Sequence, residues 1–290
     1  FARPLKEKLD RGEISVSLID RAVSRILALK FQLGIFDNPY IDAGNVIEID
    51  TEADRALALE AAQKSIILLK NSGILPLSKS VKSIAVIGPN ADSARNMLGD
   101  YTYPAGEGYE ISTNPDTGSP EVLWKESGKT AVRYEPEIIT VLEGIKRLAA
   151  PDVSITYTPG CDIQGDALDG FGQAVDTARR ADVAVVVVGG ISAMFPEGTS
   201  GEMRDSMTLE LPGVQEELVT AVSETGTPVV LVIISGRPHV LGNLVEKAAA
   251  IMQAWLPDEE GGRAIAGVLF GDYNPGGRLP VSLPVHAGQI

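Results

Sequence analysis

The spacing of apolar and polar positions changes period repeatedly along this chain. One near-continuous apolar run is VAVVVV at residues 183–188, too short for a membrane helix and rich in β-branched side chains. Such a run predicts a strand buried on both faces of a parallel sheet. After Gly189 and Gly190 it gives way to a polar loop holding Glu197, Glu202, Arg204 and Asp205, and a helical pattern starts near Leu211-Pro212-Gly213. Open α/β sheets bind ligands just beyond the carboxyl ends of their strands, which is where this loop sits.

Elsewhere, Ile19, Val23, Ile26, Leu27 and Leu33 repeat at helical spacing, with Ser15 or Ser17 as cap and Gly34 as stop. Asn38-Pro39 and Asp42-Ala43-Gly44 mark a turn-rich linker. Thr51 opens a second helix, predicted to run through Leu57, Leu59, Ala62, Ile66 and Leu69 to Asn71. Strands are predicted at 83–87, 153–157, 183–188, 228–234 and 249–255. An edge strand is predicted at 279–283, where Pro280 and Pro284 limit pairing. Helices are predicted at 138–148, 171–180, 213–224, 241–247 and 259–270. Residues 99–135, rich in Gly, Pro and Tyr, have no clear period and read as an irregular insertion. Strands alternating with helices predict an α/β fold: a three-layer αβα sandwich on a mostly parallel sheet of about five to six strands.

Composition narrows the function classes. The net charge of −14 argues against nucleic acid, which needs clustered Lys and Arg, and against anionic membrane surfaces. The single Cys161 excludes an internal disulfide framework or a cysteine-built zinc site. His239 and His286 lie too far apart in sequence for metal-ligand spacing. No apolar run approaches the roughly 20 residues needed to span a bilayer.

The strand ends read Gly88-Pro89-Asn90, Gly189-Gly190-Ile191 and Gly236-Arg237-Pro238, so neither the dinucleotide fingerprint nor the P-loop is present, and no cofactor is expected. A serine hydrolase elbow is also missing, since Ser200-Gly201 lacks the preceding glycine. Glycoside hydrolysis needs two carboxyl groups, one of them a proton donor. Glu197 and Glu202 lie in the right kind of loop, although solvated glutamates are ordinary in an acidic protein. Arg237 could bind substrate or pair structurally, Trp255 could be core or a sugar platform, and Gly261-Gly262 suits close packing at a helix start.

Several long segments in order then carry a resemblance: IDRAVSRILALKFQLGIF (19–36), AAQKSIILLKNSGILPL (61–77), ADVAVVVVGG, LPGVQEELV, GTPVVLVIISGRP and AIAGVLFGDYNPGGRLPVSLP. The chain resembles glycoside hydrolase family 3, the β-glucosidases, β-xylosidases and related exo-acting enzymes. The resemblance implies that residues 1–36 hold the last helix of a truncated (β/α)8 barrel, residues 37–60 a linker with the helix leading onward, and residues 61–290 the αβα domain. It implies retaining hydrolysis of a terminal β-linked glucose or xylose, with an aspartate nucleophile in the barrel that this chain lacks. The family loop has a glutamate four residues before an arginine and then Leu-Pro, so SGEMRDS makes Glu202 the acid/base candidate and Glu197 the second. Ser206 stands where the arginine is expected, with Arg204 as a substitute, and Asp258 replaces a usual glycine. Phe195 and Arg204 are the implied substrate contacts. The implied partners are an oligosaccharide or an aryl or alkyl β-glycoside, the barrel of the same polypeptide, and a second copy in a homodimer. The alternative is a non-catalytic scaffold that only contacts carbohydrate.

Overall fold

A computed structural model of the chain describes residues 2–40, 44, 49–78, 80–102, 109–113, 120–124, 136–193 and 198–289. The chain divides into two compact units, residues 1–49 and 50–290. In the first, α1 (Ala2–Asp10) and α2 (Val16–Gln32) are both helical, where the sequence pattern predicts only the second. Ion pairs one turn apart, Arg3 with Glu7 at 3.2 Å and Lys6 with Asp10 at 2.6 Å, support α1 as a helix. None of the residues of α2 is buried, so within this unit its apolar stripe has no cover.

The second unit opens with α3 (Glu52–Ser65), started by a capping box in which Thr51 and Asp54 satisfy each other's backbone N–H groups. This helix stops at Ser65, not at Asn71 as its pattern predicts. Residues Ile67–Asn71 instead form β1, which pairs antiparallel with β8 (Ala250–Trp255), the last strand of the sheet in the sequence. The physical reason is legible afterwards: Ile66-Ile67-Leu68-Leu69 is apolar in every direction, and strand alternation packs Leu68 and Leu69 on opposite hydrophobic clusters.

The remaining elements follow in order: β2 (Ser83–Ile87), β3 (Tyr109–Thr113), β4 (Pro120–Trp124), α4 (Val141–Leu148), β5 (Ser154–Thr158), α5 (Phe171–Arg179), β6 (Val183–Gly189), α6 (Gln215–Ser223), β7 (Val229–Ile234), α7 (Leu244–Lys247), β8 (Ala250–Trp255) and α8 (Gly261–Phe270). The sheet has six strands in the order β1-β8-β7-β6-β2-β5, parallel except for β1. Strands β3 and β4 form a separate antiparallel pair, with Tyr109 opposite Trp124. This corrects the reading of 99–135 as wholly irregular; a five-residue ladder is too short for its period to stand out among Gly and Pro. No strand forms at 279–283, where Pro280 and Pro284 remove backbone donors.

Every residue of β6 and β7 is buried, as expected for strands covered on both sides. Successive side chains alternate between layers. Val183, Val185 and Val187 join Val230, Val232 and Ile234 under α4 and α8, in one cluster. Ala184, Val186 and Val188 join Leu231 and Ile233 under α5, α6 and α7, in the other. Each fully buried Val, Leu or Ile contributes about 1.5–3 kcal/mol relative to exposure, so the two clusters dominate the fold's stability. Helices α4 and α8 touch backbone to backbone: a Cβ on Gly144 would lie 2.1 Å from the Gly262 carbonyl oxygen, and one on Gly262 only 1.9 Å from that of Thr140. Glycine is required on both sides of this crossing.

Candidate active site

Strand order reverses between β2 and β6: the chain leaves β2 for β5 on one side and returns past it to β6 on the other. Ligands of doubly wound sheets sit in the crevice at such a switch point. Here the crevice is filled by the chain itself. Fully buried Asn90, just past β2, donates from Nδ2 to the carbonyls of Gly190 (3.2 Å) and Ile234 (3.1 Å), and its Oδ1 accepts from Asn96 (3.2 Å). The candidate surface is therefore the loop at 190–214.

That loop first doubles back on itself. Thr199 donates its N–H to the Ile191 carbonyl (2.9 Å), Ala193 donates to Ser200 (3.0 Å), and the Thr199 hydroxyl accepts from the Ile191 N–H (3.0 Å). Residues 194–197, including the candidates Phe195 and Glu197, lie outside the described residues. The loop is anchored to the segment after β2 by Asp100, a buried carboxylate. Its Oδ1 accepts from the Ser192 hydroxyl (3.1 Å) and its Oδ2 from the backbone N–H of Glu202 (2.9 Å), while its own N–H donates to Ser192 Oγ (3.3 Å). Gly201 reaches this contact with φ +117°, and a Cβ there would stand 2.7 Å from Asp100 Oδ2, so only glycine fits. Met203 follows at φ 57°, a left-handed conformation uncommon for a side chain of that size.

Between these two residues Glu202 is exposed, and its carboxylate accepts a hydrogen bond from the phenol of Tyr101. That bond, followed by desolvation and the charges of Glu202 and Asp100, pushes the Tyr101 pKa above its usual value. The carboxylate is thus solvent-accessible while the backbone beneath it is fixed from below. A proton donor and acceptor needs this combination: access to a reacting group, and little freedom to drift from it.

The descending half of the loop is tied to the end of β7. Arg204 donates its N–H to Gly201 (3.2 Å), and its carbonyl accepts from Arg237 Nη2 (3.0 Å). The Arg237 contact found is thus to the loop's backbone. Ser206, at the position of the family's arginine, turns its hydroxyl to the Thr208 carbonyl (2.8 Å). Buried His239 bridges the two segments: Nδ1 lies 3.2 and 3.1 Å from the carbonyls of Leu209 and Glu210, and Nε2 lies 2.9 Å from Ser235 Oγ. Two carbonyl partners make Nδ1 the protonated nitrogen, leaving Nε2 to accept from Ser235. Burial holds this imidazole below its ordinary pKa, with the two carbonyls opposing the shift. Trp255 ends β8 half-buried at φ 56°, beside a bulge, and its carbonyl accepts from Ser235 (2.9 Å).

Asp100, Tyr101, Asn90 and His239 were not reachable from the sequence pattern. Asp100 and Glu202 are 102 positions apart, and Gly99-Asp100-Tyr101 falls in the 99–135 stretch that has no clear period. Among the described residues, no group of three or more His, Cys, Asp or Glu could hold a metal ion, and no helix is long and apolar enough to cross a membrane.

Comparison with known proteins fits this architecture. A Formosa agariphila β-xylosidase is 39% identical over 289 residues, covering 99% of this chain and 36% of the relative. A periplasmic β-glucosidase of Salmonella typhimurium is 34% identical over 317 residues, covering 100% of this chain and 37% of the relative. The chain thus spans little more than a third of the length of these curated relatives. Among solved structures, a β-glucosidase involved in saponin metabolism from intestinal bacteria superposes with a TM-score of 0.80 at 33% identity, over 98% of this chain and 40% of the other. Residues 66–290 match the model of the glycosyl hydrolase family 3 C-terminal domain. With that match over most of its length, the chain belongs to glycosyl hydrolase family 3.

Proposed function

We propose that this chain is the acid/base half of a retaining exo-acting β-glycosidase for terminal β-linked glucose or xylose, with Glu202 as the proton donor and acceptor. The nucleophile in this reading is an aspartate on a (β/α)8 barrel of the same polypeptide, for which residues 1–36 supply the last helix and residues 37–60 the linker and leading helix. The observation that carries the reading is the exposed carboxylate of Glu202 on a backbone fixed by Asp100, in the loop beyond the carboxyl end of β6. The relatives named as β-xylosidase and β-glucosidase support the substrate class.

In the first step the aspartate attacks the anomeric carbon and the glycosidic C–O bond breaks as Glu202 delivers its proton to the leaving oxygen. In the second, Glu202 takes a proton from water, whose oxygen displaces the aspartate and restores the starting configuration. Two carboxyl groups in these roles stand about 5–5.5 Å apart. Phe195 and Arg204 flank Glu202 in sequence and are assigned to the side of the leaving group.

The test is the leaving-group dependence of Glu202→Gln in the complete polypeptide. Methyl or disaccharide substrates, whose departing oxygen needs a proton, should lose about 10²–10⁴-fold in rate. A 2,4-dinitrophenyl glycoside should lose far less in its first step. Equal losses on both, or none, would reject the assignment.

A further inference from the structure

Resting on the assignment of Glu202, we propose that Asp100 is the positioning residue of the acid/base loop, acting through the backbone of Glu202 without touching substrate. Three features of the geometry carry this. Asp100 is almost wholly buried at 8% exposure, so its carboxylate was taken from water at a cost that its hydrogen bonds must offset. Its two oxygens serve the two halves of one loop, Ser192 Oγ on the outgoing side at 3.1 Å and Glu202 N–H on the returning side at 2.9 Å. Charge-assisted bonds of this kind are about twice as strong as neutral ones. Gly201 leaves no room between carboxylate and backbone, because a Cβ there would reach to 2.7 Å from Oδ2. The loop can therefore hold Glu202 only where Asp100 fixes its amide.

Tyr101, the next residue, donates to the Glu202 carboxylate itself. One dipeptide thus contacts the backbone and the head of the same glutamate, fixing the chain at one end and the side chain at the other. A general acid displaced by about 1 Å can lose about 10²-fold in rate, so a purely geometric role is large enough to measure.

The test uses the complete polypeptide, methyl and 2,4-dinitrophenyl β-glucosides and β-xylosides, and the variants Asp100→Ala, Asp100→Asn, Glu202→Gln and Asp100→Ala/Glu202→Gln. Asp100→Ala should lose about 10²-fold on the methyl glycoside and only a few-fold on the dinitrophenyl one, as a displaced acid would. Asp100→Asn keeps an oxygen for the Glu202 amide and should recover most of that loss. The double variant should be no worse than Glu202→Gln alone, because residues acting as a unit are non-additive. Losses that multiply, or an Asp100→Ala loss equal on both leaving groups, would overturn the proposal. Amide exchange across residues 199–205 separates this outcome from failure of the acid/base reading: Asp100→Ala should speed exchange there, and Asp100→Asn much less, even if Glu202→Gln proves catalytically silent. Unchanged exchange would overturn the positioning role whatever the kinetics of Glu202.

Discussion

Gln215 closes the loop that Gly189 opens. The two residues are 26 positions apart, yet the Gly189 N–H donates to Gln215 Oε1 at 2.8 Å and the Gly189 carbonyl accepts from Gln215 Nε2 at 2.8 Å. Nε2 also donates to the Ile163 carbonyl at 2.9 Å. The side chain is fully buried, so one amide satisfies the last residue of β6 and joins both ends of the loop at 190–214. Gln215→Leu fills similar volume but strands these backbone groups, each costing about 1–3 kcal/mol. Thermal denaturation should show a loss of about 3 kcal/mol, or roughly 6–12 °C for a domain of this size. An unchanged midpoint would mean that water replaces the amide without cost.

His239 predicts a pH dependence. Its folded pKa is depressed by burial, so it favours the native state while neutral. That contribution is complete above the unfolded imidazole value of about 6.5 and is lost as pH falls through it toward the lower folded value. The carboxylates held low by their partners, including Asp182 under the N–H groups of Lys82 and Ser83, give up their contribution only at more acidic pH. Melting temperature should therefore fall as pH drops below about 6.5 in the native chain, and be flatter there in His239→Gln. Parallel curves would show that the bridge to Leu209 and Glu210 tolerates a charged imidazole.

The Gly144–Gly262 crossing gives a packing test with an internal control. Gly262→Ala places a methyl group 1.9 Å from the Thr140 oxygen, forcing α8 off α4, whereas a Cβ at Gly276 meets nothing within 4 Å. The first should cost about 3 kcal/mol or abolish folding, and the second should stay within about 0.5 kcal/mol, measured by denaturant unfolding. Comparable effects would contradict the helix approach described above.

Arg55 is the cation for several acids. Its guanidinium lies 3.3 Å from Asp50, 3.3 Å from Glu259 and 3.3 Å from the almost fully buried Glu260, and donates to the Glu137 carbonyl at 2.8 Å. Removing one partner of a buried pair strands the others, so Arg55→Met should lose about 3–5 kcal/mol at pH 7. The deficit should shrink as pH falls toward about 4, where the stranded carboxylates can take up protons. A deficit independent of pH would assign the loss to packing of the arginine stem instead.

How much was legible in the sequence follows from the range of the interactions. The layers of the sandwich came from local periodicity, because Val183, Val185 and Val187 face one helix layer and Ala184, Val186 and Val188 the other whatever the rest of the chain does. The boundary between α3 and β1 did not, because Ile66 to Leu69 suit either element and the choice is made by pairing with β8, some 180 residues away. The candidate glutamate could be named from the loop and its motif. The dipeptide at Asp100 and Tyr101 could not, since no spacing rule connects residues that meet only after β2 and β6 are side by side. The plug at Asn90 was likewise invisible, although the missing phosphate fingerprints had already turned attention away from that crevice.

Azide rescue of Glu202→Ala in the complete polypeptide reports on the proposed acid/base role of Glu202. Removing the side chain opens space at the anomeric carbon and removes the base that activates water. With a 2,4-dinitrophenyl glycoside, azide should restore turnover and yield a β-glycosyl azide, the product of retention with the small anion in water's place. Absence of both rescue and glycosyl azide would rule out that role for Glu202, returning this loop to a carbohydrate-contacting cover.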